Sequence, residues 1–361
     1  MRMRDVTSSS ASSKFTLGTV MDLGCAGSVG EWLACPCPPA SEYTRRQVID
    51  ELTRVAAKAE PLVRDVTGLA TDRVVLPVCI VDRPGWVWVA TESIRVMTNG
   101  TDKARGFFAG RITGAQIGAV LACVACKILG QYDSFAASEQ SCLLLVYSNV
   151  IAVERQLRVE PSDFRLWVCL HEVIHWIQFT ANRWLSDYMS KELVLLNQET
   201  SEDIGQVVGR IAYFVRSRCN GSSAAENSTA HVSGILGLVR TVQSELHRVA
   251  LHQLLMLGNL LESLADHVMD AVGPMTVPSV ATIRHRFDDR SHRKQPSLQR
   301  LLRALLGVDA KPRRYKHGKA FVDHVVDRIG MARFNVIWSG PETLPLSAEV
   351  EDPQRWIDRV L

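Results

Sequence analysis

The sequence predicts a mainly α protein with a short β element in its N-terminal half. Three observations carry this. Apolar residues recur at three- and four-residue intervals over several long stretches. Runs rich in β-branched residues are few, and the clearest is RVVLPVCIVDR (73–83), ended by Pro84-Gly85. Finally, 47% hydrophobic against 22% charged residues in a chain of 361 describes a globular protein with ample core material for one large domain or two medium ones.

Taken in order, MRMRDVTSSSASSKF opens the chain with basic and serine-rich residues, and residues 1–18 are expected to be a disordered extension. This segment lacks the apolar stretch that a secretory signal needs after its charged start. Residues 19–140 form an expected N-terminal helical region that includes the β element. Its helices fall at RRQVIDELTRVAAKAEPLVRDVTGL (45–69) and GAQIGAVLACVACKIL (114–129). In VDRPGW (81–86) a strand is expected to end in a tight turn, with Trp86 and Trp88 alternating with valines to cap it. Residues 141–361 form the expected C-terminal region. There CLLLVYSNVIAVERQL (142–157) is ambiguous, its early half being strand-like. FRLWVCLHEVIHWIQF (164–179), LHQLLMLGNLLESLADHVMDAV (251–272) and LQRLLRALLG (298–307) read as helices. Between them RCNGSSAAENSTAHVS (218–233) reads as a loop.

Two classes are set aside on composition. The longest apolar run, IGAVLACVAC (117–126), is about half of what a bilayer crossing requires, so a soluble protein is expected. Nine cysteines, several inside apolar runs, suit a reducing cytoplasm better than a disulfide framework. Cys123-x-x-Cys126 has no second pair and reads as core.

The chemistry concentrates in LWVCLHEVIHWIQF (166–179), where two histidines and a glutamate interrupt a greasy helix. A fold gains nothing from burying such groups unless they pair with something. His171-Glu172-Val173-Ile174-His175 is HExxH. Histidines four apart share a helix face and can point at one ion. Glu172, about 100° round the helix, can reach a water on that ion without ligating it. Zn2+ lowers the pKa of such a water to about 7, so Glu172 is the candidate general base. Pro161-Ser162-Asp163 supplies the helix start, with Asp163 as the expected N-cap.

A catalytic zinc takes three protein ligands and a water. GNLLESLADHVMDAVGP (258–274) offers Glu262 on a second apolar helix that stops at Gly273-Pro274. Asp266, one turn later on the same face, is the candidate to orient a ligand imidazole through its second nitrogen. His267 competes as third ligand from a different face, and Glu262 is favoured because Asp266 accompanies it. Gln178 falls on the ligand face, where a core hydrogen bond is the simpler reading, and Tyr315 and His324 are weaker candidates as donors to a developing oxyanion.

Several stretches together resemble the zincin-like metallopeptidases, an actinobacterial family labelled as associated with deazaflavin coenzyme biosynthesis. They are VDRPGW, LGQYD (129–133), DFRLWVCLHEVIHWIQFTANRWL (163–185), LLESLADHVMDAVGP (260–274), RLLRALLGVDAK (300–311) and GKAFVDHV (318–325). The resemblance implies a mostly helical, zincin-like hydrolase with His171, His175 and a downstream glutamate on zinc, acting on a peptide or protein substrate. The family pattern has Thr where this chain has Ile174, Pro where it has Arg183, and Gly-His where it has Ser263-Leu264. Those departures keep open an alternative, a catalytically weakened zinc binder with an interaction role. Residues 284–319, with twelve Lys or Arg against three Asp, would then be its surface for anionic partners. No nucleic-acid fold signature accompanies that segment, so nucleic acid is not the expected partner.

Overall fold

The computed structural model describes residues 22–70, 78–98, 107–133, 142–197, 245–294 and 313–361. Among these the architecture is a set of helices around one small sheet. The first helices are α1 (Leu23–Leu33) and α2 (Glu42–Thr67). Helix α2 starts where the Ser41 hydroxyl accepts from the Thr44 amide at 3.1 Å. It stops at Gly68, whose φ of 62° closes the last turn in the left-handed region that glycine tolerates.

Strand β1 (Val78–Val81) follows, then helix α3 (Arg83–Thr98). The tight turn expected at VDRPGW is instead a helix start. Asp82 Oδ1 accepts from the Gly85 amide at 2.9 Å and Pro84 occupies the first turn, where its missing N–H costs nothing. Trp86 and Trp88 therefore sit on a helix. Helix α4 (Phe107–Ala125) leads into β2 (Gly130–Asp133), a strand that periodicity does not announce. The ambiguous 142–157 stretch divides into β3 (Cys142–Val146) and α5 (Tyr147–Leu157).

The sheet order is β1-β3-β2, with β1 parallel and β2 antiparallel to β3. Helices cover both faces. Leu143 and Leu145 of β3 point into the larger core, while Leu144 and Val146 join Trp86, Val87, Ala90, Leu121 and Val124 in a smaller one. Burial on both faces explains why CLLLV is continuously apolar.

The larger core is built on α6 (Pro161–Ala181), flanked by α2, with α7 (Trp184–Asn197) after it. Pro161 is its first helical residue and Glu160 the cap position, so Asp163 lies inside the first turn. Its carboxylate instead accepts from the amide and hydroxyl of Ser279, at 2.9 and 2.7 Å. That contact docks the start of α9 (Val280–Lys294). Also on α6, Arg165 makes a bidentate pair with Glu154, at 3.0 and 2.8 Å, and a further ion pair with Glu51 of α2.

Helix α8 (Glu245–Thr276) crosses α6 and packs against α10 (Arg313–Ile329). It breaks at Gly273, φ 70°, at the stop predicted from Gly273-Pro274. Short helical turns and Pro353–Val360 complete the chain, with Trp356 wholly buried. The 1–18 extension, the 218–233 loop and the 298–307 helix lie outside the described residues. No helix among the described residues is long and apolar enough to cross a membrane.

Candidate metal centre

Helix α6 presents His171 and His175 one turn apart, their rings edge to face with centroids 4.8 Å apart. Their Nε2 atoms are 3.3 Å apart. Helix α8 brings the third group. Leu260, Leu261, Leu264, Ala265 and Val268 bury in the larger core, and Glu262 projects between them towards the imidazoles. Glu262 Oε2 lies 3.7 Å from His171 Nε2 and Oε1 lies 3.6 Å from His175 Nε2. These ligand atoms all fall within 4.8 Å of one another. Tetrahedral coordination at 2.0–2.1 Å separates two ligand atoms by roughly 3.4 Å. The set therefore fits one tetrahedral cation with small adjustment.

Protonation favours the same role. Burial lowers the pKa of His171 to about 4, against the pull of Glu262 and with help from His175 and Arg284, so its ring is neutral and keeps a lone pair. For His175 a hydrogen bond decides the tautomer. Its Nδ1 lies 2.9 Å from Gln178 Oε1, and the Gln178 amide nitrogen donates to the Leu261 carbonyl at 3.1 Å. That donation fixes which end of the amide faces the ring. The oxygen can only accept, so Nδ1 carries the proton and Nε2 is left as a donor atom for metal. Gln178 is fully buried, and it joins α6 to the residue beside Glu262.

Glu172 is 6% exposed, and burial, then the nearby Glu262 charge, push its pKa up to about 8. Its side chain lies against the backbone of Gly130 on β2. A Cβ at Gly130 would stand 2.6 Å from Glu172 Cγ and 2.8 Å from Cδ. Only glycine leaves room for the carboxylate there.

The structure thus brings together His171, His175 and Glu262, with Glu172 on the same helix as the histidines. Asp266, read from sequence as the carboxylate that orients a ligand imidazole, lies 3.6 Å from Arg284; at His175 the hydrogen bond to Nδ1 comes from Gln178. His267 turns to α10, where its Nδ1 meets Asp323 at 2.7 Å. Lys319 bridges Asp323 and Asp270, at 2.6 and 3.1 Å, and Arg284 reaches Asp270 at 3.1 Å. Arg286 donates to the carbonyls of Leu157 and Arg158 at the end of α5. Three cations of the 284–319 segment are thus engaged inside the molecule. His324 is exposed on α10, and the Tyr315 side chain lies outside the described residues. Gln178, placed on the ligand face from sequence with a core hydrogen bond as the simpler reading, makes that bond to Leu261 and also meets His175, whereas nothing in the sequence pointed to Gly130.

A family profile described as "Zincin-like metallopeptidase" matches residues 21–357. A crystal structure from Chloroflexus aurantiacus, described as "a putative hydrolase with a novel fold", superposes with a TM-score of 0.67 at 26% identity. It covers 94% of this chain and 98% of its own. Comparison with curated proteins gives no match.

Proposed function

The chain belongs to the zincin-like metallopeptidase family, and on that premise we propose that it is a zinc-dependent hydrolase of amide bonds, most simply of peptides. The observation that carries the reading is the convergence of His171, His175 and Glu262 from two helices within 4.8 Å. Two imidazoles and a carboxylate are a zinc donor set that leaves the fourth position for water or substrate. In this reading those three residues hold the metal. A zinc ion held there would supply Lewis acidity, to polarise a carbonyl and acidify water.

The protein's own groups supply the rest. Glu172 is the general base: buried beside the two histidines on the same helix, its carboxylate takes a proton from the attacking water and passes it to the leaving amine. Burial and the Glu262 charge push the Glu172 pKa up to about 8, and beside a bound cation it would fall, leaving the carboxylate ionised at neutral pH. Gln178 holds His175 in its metal-binding tautomer, and Gly130 gives Glu172 its seat.

The test is metal analysis and peptide-library cleavage on wild type, Glu172→Gln and Glu262→Ala. Wild type and Glu172→Gln should each hold about one zinc per chain, Glu262→Ala much less, and only wild type should cleave. Zinc retained in full by Glu262→Ala overturns the ligand set. Equal cleavage by wild type and Glu172→Gln overturns the base.

A further inference from the structure

Far from the metal centre in sequence, two cysteines meet. The Cys35 amide donates to the Cys126 sulfur at 3.3 Å, across 91 positions of chain. Cys35 is exposed, in the non-helical run ACPCPPA (34–40) between α1 and α2, and Cys126 is half-buried just after α4. A polar clamp holds the two backbones in register. Arg83 Nη1 donates to the carbonyls of Cys35 and Pro36, and its Nε donates to Asn149 Oδ1 at 2.6 Å. The Asn149 amide nitrogen then donates to the Ala125 and Ile128 carbonyls, at 2.7 and 2.6 Å, on either side of Cys126. Arg83 and Asn149 are both at least nine-tenths buried, so the clamp is built into the fold.

We propose that Cys35 and Cys126 form a reversible disulfide, a thiol-oxidation site whose oxidant is a low-molecular-weight disulfide. An amide-to-sulfur distance of 3.3 Å sets the Cys35 Cα within about 4.8 Å of the Cys126 sulfur, a span that a disulfide can bridge, and Cys35 can turn without breaking a helix. The order of attack follows from exposure. Burial, then the neighbouring Cys35 thiol, push Cys126 up to about 12, which makes it the poorer nucleophile. The exposed Cys35 thiolate attacks the small disulfide RSSR, forming a mixed disulfide and releasing one RS⁻. Cys126, losing its proton, then attacks the Cys35 sulfur and expels the second RS⁻. Both thiolates take up the protons released, so one RSSR is reduced to two RSH as the two thiols are oxidised. The bridge fastens the segment between α1 and α2 to the connection that leads from α4 to Gly130. It does not depend on the hydrolase reading.

The test is incubation of the full-length protein in glutathione–glutathione disulfide buffers, followed by differential alkylation and peptide mass spectrometry. The expected product is a linked peptide pair containing Cys35 and Cys126, reversed by dithiothreitol, with a melting temperature a few degrees above the reduced form. Cys35→Ser and Cys126→Ser should each abolish it, and Cys79→Ser should leave it unchanged. Because Cys35 is exposed, that variant tests the idea even where Cys126→Ser fails to fold. Persistent glutathione adducts on Cys35, a Cys35–Cys37 bridge, or no oxidation at either thiol would each overturn the proposal.

Discussion

Replacing Gln178 by leucine should weaken zinc binding while leaving all three candidate ligands in place. The substitution removes two hydrogen bonds, His175 Nδ1–H to Gln178 Oε1 at 2.9 Å and Gln178 Nε2–H to the Leu261 carbonyl at 3.1 Å. The first fixes the tautomer and tilt of the His175 ring; the second ties that ring to the turn carrying Glu262. Leaving a buried imidazole N–H without its acceptor costs about 1–3 kcal/mol. Loss of such outer partners typically weakens metal affinity 10–100-fold, or about 1.4–2.7 kcal/mol. The two ranges agree, so a zinc dissociation constant 10–100-fold higher is expected. Competition against a chromogenic chelator measures it, and thermal melts of the metal-free protein show that the variant folds. Gln178→Glu should hold affinity better, because a carboxylate also accepts from Nδ1–H. A folded Gln178→Leu protein that binds zinc as tightly as wild type would refute the assignment.

Gly130→Ala should push Glu172 from its seat, because the new methyl would stand 2.6 Å from Glu172 Cγ. Overpacking of that order costs about 1–3 kcal/mol, and a displacement near 1 Å lowers turnover about 10²-fold. Zinc content should be unchanged, and full turnover in the variant would sink the idea. Arg165→Met strands the carboxylates of Glu154 and Glu51, which are 7% and 16% exposed. A loss of about 3–5 kcal/mol in urea unfolding follows, and a change below about 1 kcal/mol would show the pair to be dispensable. Burial alone would raise the pKa of Glu349, but hydrogen bonds from Arg359 and the Leu346 amide, with the Arg359 charge, hold it below the ordinary glutamate range. Its folded pKa being the lower, the stability it contributes is complete above the unfolded value of about 4.3 and is lost as pH falls through the folded value. Arg359→Gln should therefore flatten the acid limb of stability against pH, and an unchanged slope in urea titrations would contradict this.

The helices of the site were legible because their signals are local. The apolar spacing around HEVIH marked α6, and Gly273-Pro274 marked the end of the main run of α8. Glu262 was legible because an acidic residue at a core-facing position on an apolar helix demands a partner. What escaped was non-local. Gly130 looks like any turn glycine until α6 lays Glu172 across it. Asp163 passed for an N-cap because its true partner, Ser279, is 116 positions away. At VDRPGW the error lay in the choice of rule. Pro-Gly after a strand suggests a turn, but an aspartate three residues before the glycine amide is equally a helix cap, and here the cap wins.

The small sheet has helices on both faces, and its middle strand sends alternate leucines to opposite sides. It acts as a diaphragm between two chambers. Residues of the Trp86 chamber belong to a different core cluster from the site helix, yet they press on the strand that neighbours the one beneath Glu172. A cavity or an added methyl group behind the sheet should be felt at that carboxylate as a change in strand height. Repacking positions such as Val87 or Leu121 is thus a way to tune the site without touching any residue in it.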